Sequence, residues 1–401
     1  MKVAIIGGGA AGFFLAVNLK EMMPEMEVTI FERSQRVLAK VEVSGGGRCN
    51  CTNSFAEVTD LSQVYPRGHR LMKRLMKGFS HEDAYRWFER HGVPLVTQAD
   101  ECVFPQAQDS HAVINCFLAL ARRYHVQICT GRKIQSLDEL RDYDFVAVTT
   151  GGSPKGEGLR WLADMGHEIE PPVPSLFTFS IDDAALHALQ GLVVDDAAAL
   201  IPATKYRANG PLLITHWGMS GPAILKLSSH AARYLADRQY RSPLSINWLQ
   251  QTETDIQTEL HTMTLRQTQK LLTTCNPFGL QQRLWSYLLT KSLANRAALR
   301  WGELNKKDMN RMVNVLTNDN YLVSGRATFK EEFVTCGGIS LQAVQPSTLE
   351  SRYVPGLYFA GEVLDIDGIT GGFNFQAVWT TAYTVACSIV ETKDRRRKIV
   401  D

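Results

Sequence analysis

No stretch of the 401-residue sequence approaches the roughly 18 consecutive apolar residues of a membrane span, so no transmembrane helix is expected. Charge of one sign is also lacking. Lys and Arg number 43 against 41 Asp and Glu, a formal charge of +2, which is not the footprint of a dedicated nucleic-acid binder. No C-x-x-C pair occurs. The eight cysteines are scattered, and only Cys49 and Cys51 lie close together, as C-x-C. That spacing excludes a paired zinc site and a disulfide framework. The apolar start MKVAIIGGGAAGFF is broken by glycines and is followed by no small-residue cleavage site, so it reads as structure rather than a signal peptide. A reducing cytoplasm is the expected location. With 45% hydrophobic and 21% charged residues, disorder, collagen and coiled coil are excluded for the chain as a whole. No internal repeat is visible.

The first sixty residues carry the strongest pattern. An apolar β-run from Lys2 to Ile6 leads into Gly7-Gly8-Gly9-Ala10-Ala11-Gly12 and then a helical stretch, in which Phe14, Leu15, Leu19 and Met22 fall near one face. A second β-run, Val28 to Phe31, ends at Glu32. G-x-G-x-x-G between a strand and a helix, with an acid about twenty residues further on, is a dinucleotide-binding fingerprint. Gly7 permits the tight turn, Gly9 lets the backbone approach a pyrophosphate, and Gly12 permits close helix–strand packing. The pyrophosphate then meets free N–H groups at the positive end of a helix dipole. Ala11 lies inside this turn. Glu32 can accept from the ribose hydroxyls, and its charge disfavours a 2′-phosphate.

FAD and NAD share that fingerprint, so the rest of the chain must discriminate. A β-run from Phe145 to Thr149 leads to Gly151 and Gly152. Near the other end, Gly356 to Ala360 leads to Gly361 and Glu362, then to Gly368 through Gly372, then to Phe373-Asn374-Phe375-Gln376 opening a last helix. A second strand–glycine–helix cradle suits a long extended cofactor whose ring meets a helix N-terminus. No second complete fingerprint is present. The nearest text, Gly156-Glu157-Gly158, has Trp161 where the third glycine belongs. Disulfide reductases with two dinucleotide sites therefore fit poorly. A strand would also point Cys49 and Cys51 to opposite faces; one of them faces the cofactor, or both are buried and inert. Between the cradles, Pro171, Pro172 and Pro174 cannot lie inside a helix or central strand and mark a domain boundary. The text from about 252 to 317 is polar and helical. The basic tail Lys393 to Lys398 reads first as a solvated helix end and second as a binding patch.

Four motifs together carry a family resemblance: GGGAAG at 7–12, SGGGRCNCTN at 44–53, THWGMSGPAILKLS at 215–228, and GLYFAGEVLDIDGITGGFNFQAVWTT at 356–381. The chain resembles the BaiN/YhiN-like, or aminoacetone-oxidase-like, FAD-binding flavoproteins over nearly its whole length. The resemblance implies an α/β fold: a discontinuous Rossmann-type FAD-binding domain from 1–172 and 336–401, with an inserted region at 173–335. The insert should hold a β-barrel-like part, about 173–250 and 318–335, and a helical part, about 252–317. Carried over by position, Gly45, Gly46, Gly47, Arg48, Cys49 and Asn50 should line the flavin, and Lys40 should lie near the phosphates or ribose. The Ile134 backbone should read adenine, and Gly361, Glu362, Gly371, Gly372, Asn374 and Phe375 should close the flavin end. Gly151 is counted with them. The chain departs from the pattern at Glu42 and after Thr380-Thr381.

These observations lead to a non-covalent FAD enzyme that reduces a small organic substrate, with NAD(P)H as a transient electron donor. The resemblance also covers oxygen-using amine or hydroxy-compound oxidases. A flavin-dependent RNA-modifying enzyme and a non-enzymatic flavin sensor are further readings, the former disfavoured by the modest charge. No nucleic acid, membrane or metal is expected. His216, in the loop-like text of the insert, is either a proton donor or a histidine satisfied in a turn.

Overall fold

The computed structural model describes residues 1–327 and 334–400, and the side chains as far as 392. The side chains of the basic tail and the end of the expected barrel segment, 328–333, therefore lie outside the described residues. The chain forms two compact units: Met1–Pro174 with Phe333–Asp401, and Ser175–Glu332. In chain order the first unit begins β1 (Lys2–Ile6), α1 (Ala10–Met22), β2 (Glu27–Phe31), α2 (Ala39–Val43), β3 (Thr52–Asn53), α3 (His69–Leu75) and α4 (His81–Arg90). It continues with β4 (Leu95–Thr97), β5 (Cys102–Pro105), α5 (His111–Arg123), β6 (Gln127–Cys129), β7 (Phe145–Val148), α6 (Arg160–Ala163) and β8 (Ile169–Ser175). The second unit contains β9 (Phe179–Ile181), α7 (Ala184–His187), β10 (Val193–Leu200), β11 (Arg207–Ile214), β12 (Gly218–Ser220), α8 (Pro222–His230) and α9 (Ala232–Ala236). After these come β13 (Ser242–Asn247), α10 (Glu253–Arg266), α11 (Gln282–Leu293), α12 (Lys306–Thr317) and β14 (Asp319–Arg326). The chain returns to the first unit with β15 (Val334–Ile339), β16 (Leu357–Phe359) and α13 (Phe373–Val400).

The first unit is built on a parallel sheet of order β16-β7-β1-β2-β6. In β1, Val3, Ala4, Ile5 and Ile6 are all buried, a continuous apolar run rather than an alternation, as expected where helices cover both faces. Helix α1 differs from the one-face reading: every residue from Ala11 to Leu19 is buried. The reason is a second helix on its other side, α13. Phe14 contacts Trp379 at 5.1 Å between ring centroids and Trp87 at 4.6 Å. A small antiparallel sheet, β3-β5-β4, and a two-stranded sheet, β15-β8, complete the unit. Strand β8 contains Pro171, Pro172 and Pro174. A two-stranded sheet has only edge strands, so prolines that cannot donate are tolerated there.

His167 is buried in this unit. Its Nδ1 donates to the Leu162 carbonyl at 3.0 Å, so Nε2 accepts from the Ser351 hydroxyl at 2.8 Å. Burial holds its pKa below the ordinary value. The unfolded chain thus binds a proton near pH 6.5 that the folded chain refuses. The stability from a neutral His167 is present above about pH 6.5 and is lost as pH falls through the folded pKa. We expect the urea midpoint to fall between pH 7 and pH 5.5 more steeply in the wild type than in His167→Gln; parallel pH profiles would refute this.

The second unit is a closed antiparallel barrel of order β10-β11-β12-β9-β14-β13. Alternation places its core: on β14, Asp319, Tyr321 and Val323 are buried while Asn320 and Leu322 are exposed. The helical part follows β13. Helices α10 and α12 each begin with a capping box, Thr252 with Asp255 and Asn305 with Asp308, which satisfies orphan N–H groups. Residues 252–317 hold nine Lys and Arg against five Asp and Glu, whereas the remainder of the unit holds eight of each. One buried carboxylate ties helix to barrel. Asp319 receives Lys291 Nζ at 2.5 Å, Tyr321 O–H at 2.5 Å and Trp248 Nε1–H at 3.0 Å. Even so, burial leaves its pKa above the usual carboxylate value. Breaking a buried pair costs about 3–5 kcal/mol. Lys291 is 28% exposed, so Lys291→Met should fall at the low end, with Lys291→Arg retaining most of the stability. Urea unfolding followed by tryptophan fluorescence checks this, and an unchanged midpoint in Lys291→Met would exclude the pair as a stabilising contact.

Candidate functional site

The β1–α1 turn shows why its glycines are glycines. At Gly7, with φ of +119°, a Cβ would meet the Thr149 carbonyl oxygen at 2.5 Å. At Gly12 it would meet the Gly7 carbonyl oxygen at 2.1 Å. At Gly9 it would meet nothing within 4 Å. Two positions are therefore closed by backbone, while the one that opens α1 faces free space. Thr149 locks the turn by donating its hydroxyl to the carbonyls of Ile6 (3.1 Å) and Gly7 (2.9 Å). Sequence reasoning passed over Thr149, whose only signal was its place just before Gly151.

Glu32 lies beside this turn. Its carboxylate accepts from Gly8 N–H at 2.8 Å and from Ser34 N–H and O–H, each at 2.8 Å. It is therefore held in place by backbone donors rather than left mobile. The segment after β6 runs alongside, with Arg132 N–H donating to the Glu32 carbonyl at 2.8 Å. Ile134 comes two residues later. Its side chain is buried in the core, and its backbone makes no hydrogen bond among the described residues.

Residues from both ends of the chain converge beside the first turn of α1. A Cβ on Gly361 would touch the Ala11 Cβ at 3.0 Å, and one on Gly151 would lie 3.6 Å from Glu362 Oε2. Glu362 accepts from Lys40 Nζ at 3.0 Å and from Thr335 N–H at 2.9 Å. Lys40, expected near the phosphates or ribose, is thus engaged by a carboxylate, and Glu362, expected at the flavin end, stands beside Gly151 and Lys40.

The loop at 44–50 is a left-handed turn. Gly45, Gly46 and Gly47 all have positive φ, and a Cβ on Gly46 or Gly47 would meet nothing within 4 Å. Ser110 N–H anchors the loop on the Gly47 carbonyl at 2.8 Å. Arg48 folds back, its guanidinium 4.1 Å from the Phe104 ring centroid and its Nε donating to the Gly45 carbonyl at 3.2 Å. In the amide orientation that satisfies its neighbours, Asn50 donates to the carbonyls of Thr52 (2.8 Å) and Val103 (3.2 Å) and accepts from Gly372 N–H at 3.2 Å. Asn53 donates to the Gly371 carbonyl at 3.0 Å. The loop and the second glycine turn are therefore joined. Asn374 spends its side chain on the Gly368 backbone, at 2.8 and 2.9 Å, and so shapes the turn. Phe375 stacks on Trp379 at 5.3 Å.

The cysteine geometry corrects the strand argument. Cys49 has φ of +60° and is not in a strand. Its Sγ lies 3.9 Å from that of Cys51, on the same side. Both are fully buried, so neither is exposed toward an open cradle. Burial and the neighbouring thiol push the Cys51 pKa well up, and a protonated buried thiol is unreactive. Burial, not opposed faces, argues against a redox pair. His216 lies in the other unit, exposed in the tight turn between β11 and β12, its ring 4.4 Å from that of Trp217.

The residues present fit FAD. They provide an open helix N-terminus at Gly9, a fixed carboxylate at Glu32, an unpaired backbone at Ile134 and an open glycine loop at 46–47. A charged hydrogen bond contributes about 1.5–3 kcal/mol. Glu32→Ala should then weaken FAD by about 10- to 100-fold, Glu32→Gln less, and Gly12→Ala should give protein without flavin. Fluorescence titration of the apoprotein measures all three. Unaltered affinity in Glu32→Ala would mean that the ribose is held elsewhere.

The model of the family described as HI0933-like protein Rossmann domain matches residues 1–388. A 3-dehydro-bile acid delta(4,6)-reductase of Clostridium scindens is 26% identical over 415 residues, covering 97% of this chain and 99% of that protein. A ribosomal RNA dihydrouridine synthase of Escherichia coli is 26% identical over 410 residues, covering 97% and 98%. The fold is similar to that of a 3-ketosteroid delta1-dehydrogenase from Sterolibacterium denitrificans, with a TM-score of 0.50 at 10% identity over 97% of this chain and 99% of the other. Among the described residues no helix is long and apolar enough to cross a membrane. With its glycine cradles and its full-length match, the chain belongs to the HI0933-like family of Rossmann-fold, FAD-binding flavoproteins and is an FAD-dependent oxidoreductase.

Proposed function

We propose that the protein reduces a carbon–carbon double bond in a small organic substrate, with electrons entering from NAD(P)H. The observation that carries this reading is the open cradle at Gly9 and Gly46–Gly47, combined with two full-length relatives whose names both describe saturation of a ring double bond. Bound FAD supplies the two-electron chemistry. The chain's own residues hold it. The free N–H groups opening α1 take the pyrophosphate, Glu32 the ribose and the Ile134 backbone the adenine, while Asn50 and Asn374 keep the two glycine turns in register. Lys40, paired with Glu362, neutralises a carboxylate that would otherwise repel phosphate. We place the protein in the cytoplasm, a reading supported by eight free cysteines.

A second reading puts the double bond in a uracil ring of folded RNA. It is favoured by the concentration of positive charge in residues 252–317, nine cations against five anions.

Anaerobic mixing with NADH and NADPH, followed by a 3-keto-4-ene steroid or a uridine-containing RNA, tests both. Bleaching of the flavin band and a product heavier by two hydrogens are expected. Failure of both nicotinamides, with rapid reoxidation by oxygen of enzyme reduced by an amine or hydroxy compound, would replace the proposal with an oxidase.

A further inference from the structure

We propose that one end of the helical part of the inserted unit, formed by the C-terminus of α10 and the N-terminus of α12, binds the phosphate backbone of folded RNA; this rests on the second reading above. Asn318 donates to Glu253 at 2.8 Å and ties the end of α12 to the start of α10. The two helices therefore run antiparallel, and Lys306 and Lys307 come to the same end as Arg266. The segment that leaves α10 and the one that leads into α12 are hydrogen-bonded to each other. Trp301 N–H donates to the Lys270 carbonyl at 3.0 Å, Gly302 N–H to the Thr268 carbonyl at 3.0 Å, and the Arg300 guanidinium to the Gln269 carbonyl at 2.7 Å. Five cations, Arg266, Lys270, Arg300, Lys306 and Lys307, are thereby gathered and exposed. None forms an ion pair among the described residues. Two acids lie in the same stretch: exposed Glu303, which accepts from Arg300 N–H at 2.7 Å and keeps its charge, and buried Asp308, which pairs with Arg296 at 2.9 Å.

Local stability does not account for this placement. Lys306 and Lys307 occupy the first turn of α12, where the helix dipole disfavours cations, and the N-cap is already made by Asn305. Cations held there against the dipole suit an external anion at the same helix end. The tryptophan of the segment, Trp301, is fully buried and offers no stacking platform. The surface is therefore suited to backbone contact rather than base reading, and RNA helices are recognised largely in that way.

The test uses the full-length flavoprotein and a fluorescently labelled RNA hairpin, read by anisotropy at several salt concentrations. Lys270→Glu/Lys306→Glu/Lys307→Glu should bind at least tenfold more weakly near 0.1 M salt. Its log–log salt slope should be shallower by about 2–3, close to one per lost phosphate contact. Arg238→Glu, on the barrel part, should stay within about twofold. Flavin absorbance and the urea midpoint report folding; if they change, Lys306→Gln and Lys307→Gln replace the triple variant. Equal affinity of wild type and variants would overturn the proposal. So would wild-type protein that ignores the hairpin but sediments with phosphatidylserine vesicles through Leu265 and Leu271, which are 70% and 40% exposed. Dihydrouridine formation separates the two layers. Salt-dependent, variant-sensitive binding without dihydrouridine retains the docking surface and removes the uracil reading. Dihydrouridine made with variant-insensitive binding removes the docking surface alone.

Discussion

The parallel pairing of Leu357–Phe359 with Val146–Val148 is the constraint on which the cofactor unit depends. Strand β7 lies before the inserted unit and β16 after it, so the sheet is complete only when the chain has returned from the whole insert. The same pairing aligns the turns at the ends of the two strands. Ala360 N–H donates to the Val148 carbonyl at 3.1 Å, which carries Gly361 and Glu362 directly beside Gly151 and Gly152. Gly361 N–H is then held by Thr381 Oγ1 at 2.9 Å. Closing a long loop costs entropy that grows only slowly with its length. A large unit can therefore be carried between β7 and β16 at little extra cost, provided the two strands still meet.

Trp379 extends that constraint into the core. Its ring packs with Phe14, Phe88 and Phe117, and its indole N–H donates to the Cys51 carbonyl at 2.7 Å. One side chain on α13 thus fastens α1 and the strand following the 44–50 loop. The loop can then keep four left-handed residues, Gly45 through Gly47 and Cys49. Such conformations are held by their surroundings rather than by their own preference, above all at a non-glycine position such as Cys49.

Legibility in the sequence tracks this division. Wherever a local pattern sets the structure, it could be read. The β1–α1–β2 unit and the acid at Glu32 declare themselves within about thirty residues, and the helical part shows in the polar text from about 252 to 317. Where distant neighbours decide, it could not. The even burial of α1 depends on α13, not on its own periodicity. The shared side of Cys49 and Cys51 depends on one positive φ, which residue type does not announce outside glycine. The pairing of Lys40 with Glu362 joins positions at opposite ends of the chain, and the helper Thr149 shows its role only through the two carbonyls it reaches. Resemblance to a family supplied the discontinuous arrangement, which residue patterning could only hint at through the proline cluster.

Charge gives the last case of this kind, because a net charge is a sum that carries no record of place. The first unit holds 26 Lys and Arg against 28 Asp and Glu. The barrel part is even, and the helical part alone carries the excess. An overall +2 is therefore compatible with a strongly basic surface. Surface charges further apart than a Debye length, about 10 Å at 0.1 M ionic strength, barely influence one another. A polyanion approaching α12 therefore responds chiefly to the charges within that distance, whatever the sum over the whole chain. The antiparallel packing of α10 and α12 brings those cations to one end, so the electrostatic character of that surface is set by tertiary structure rather than by composition.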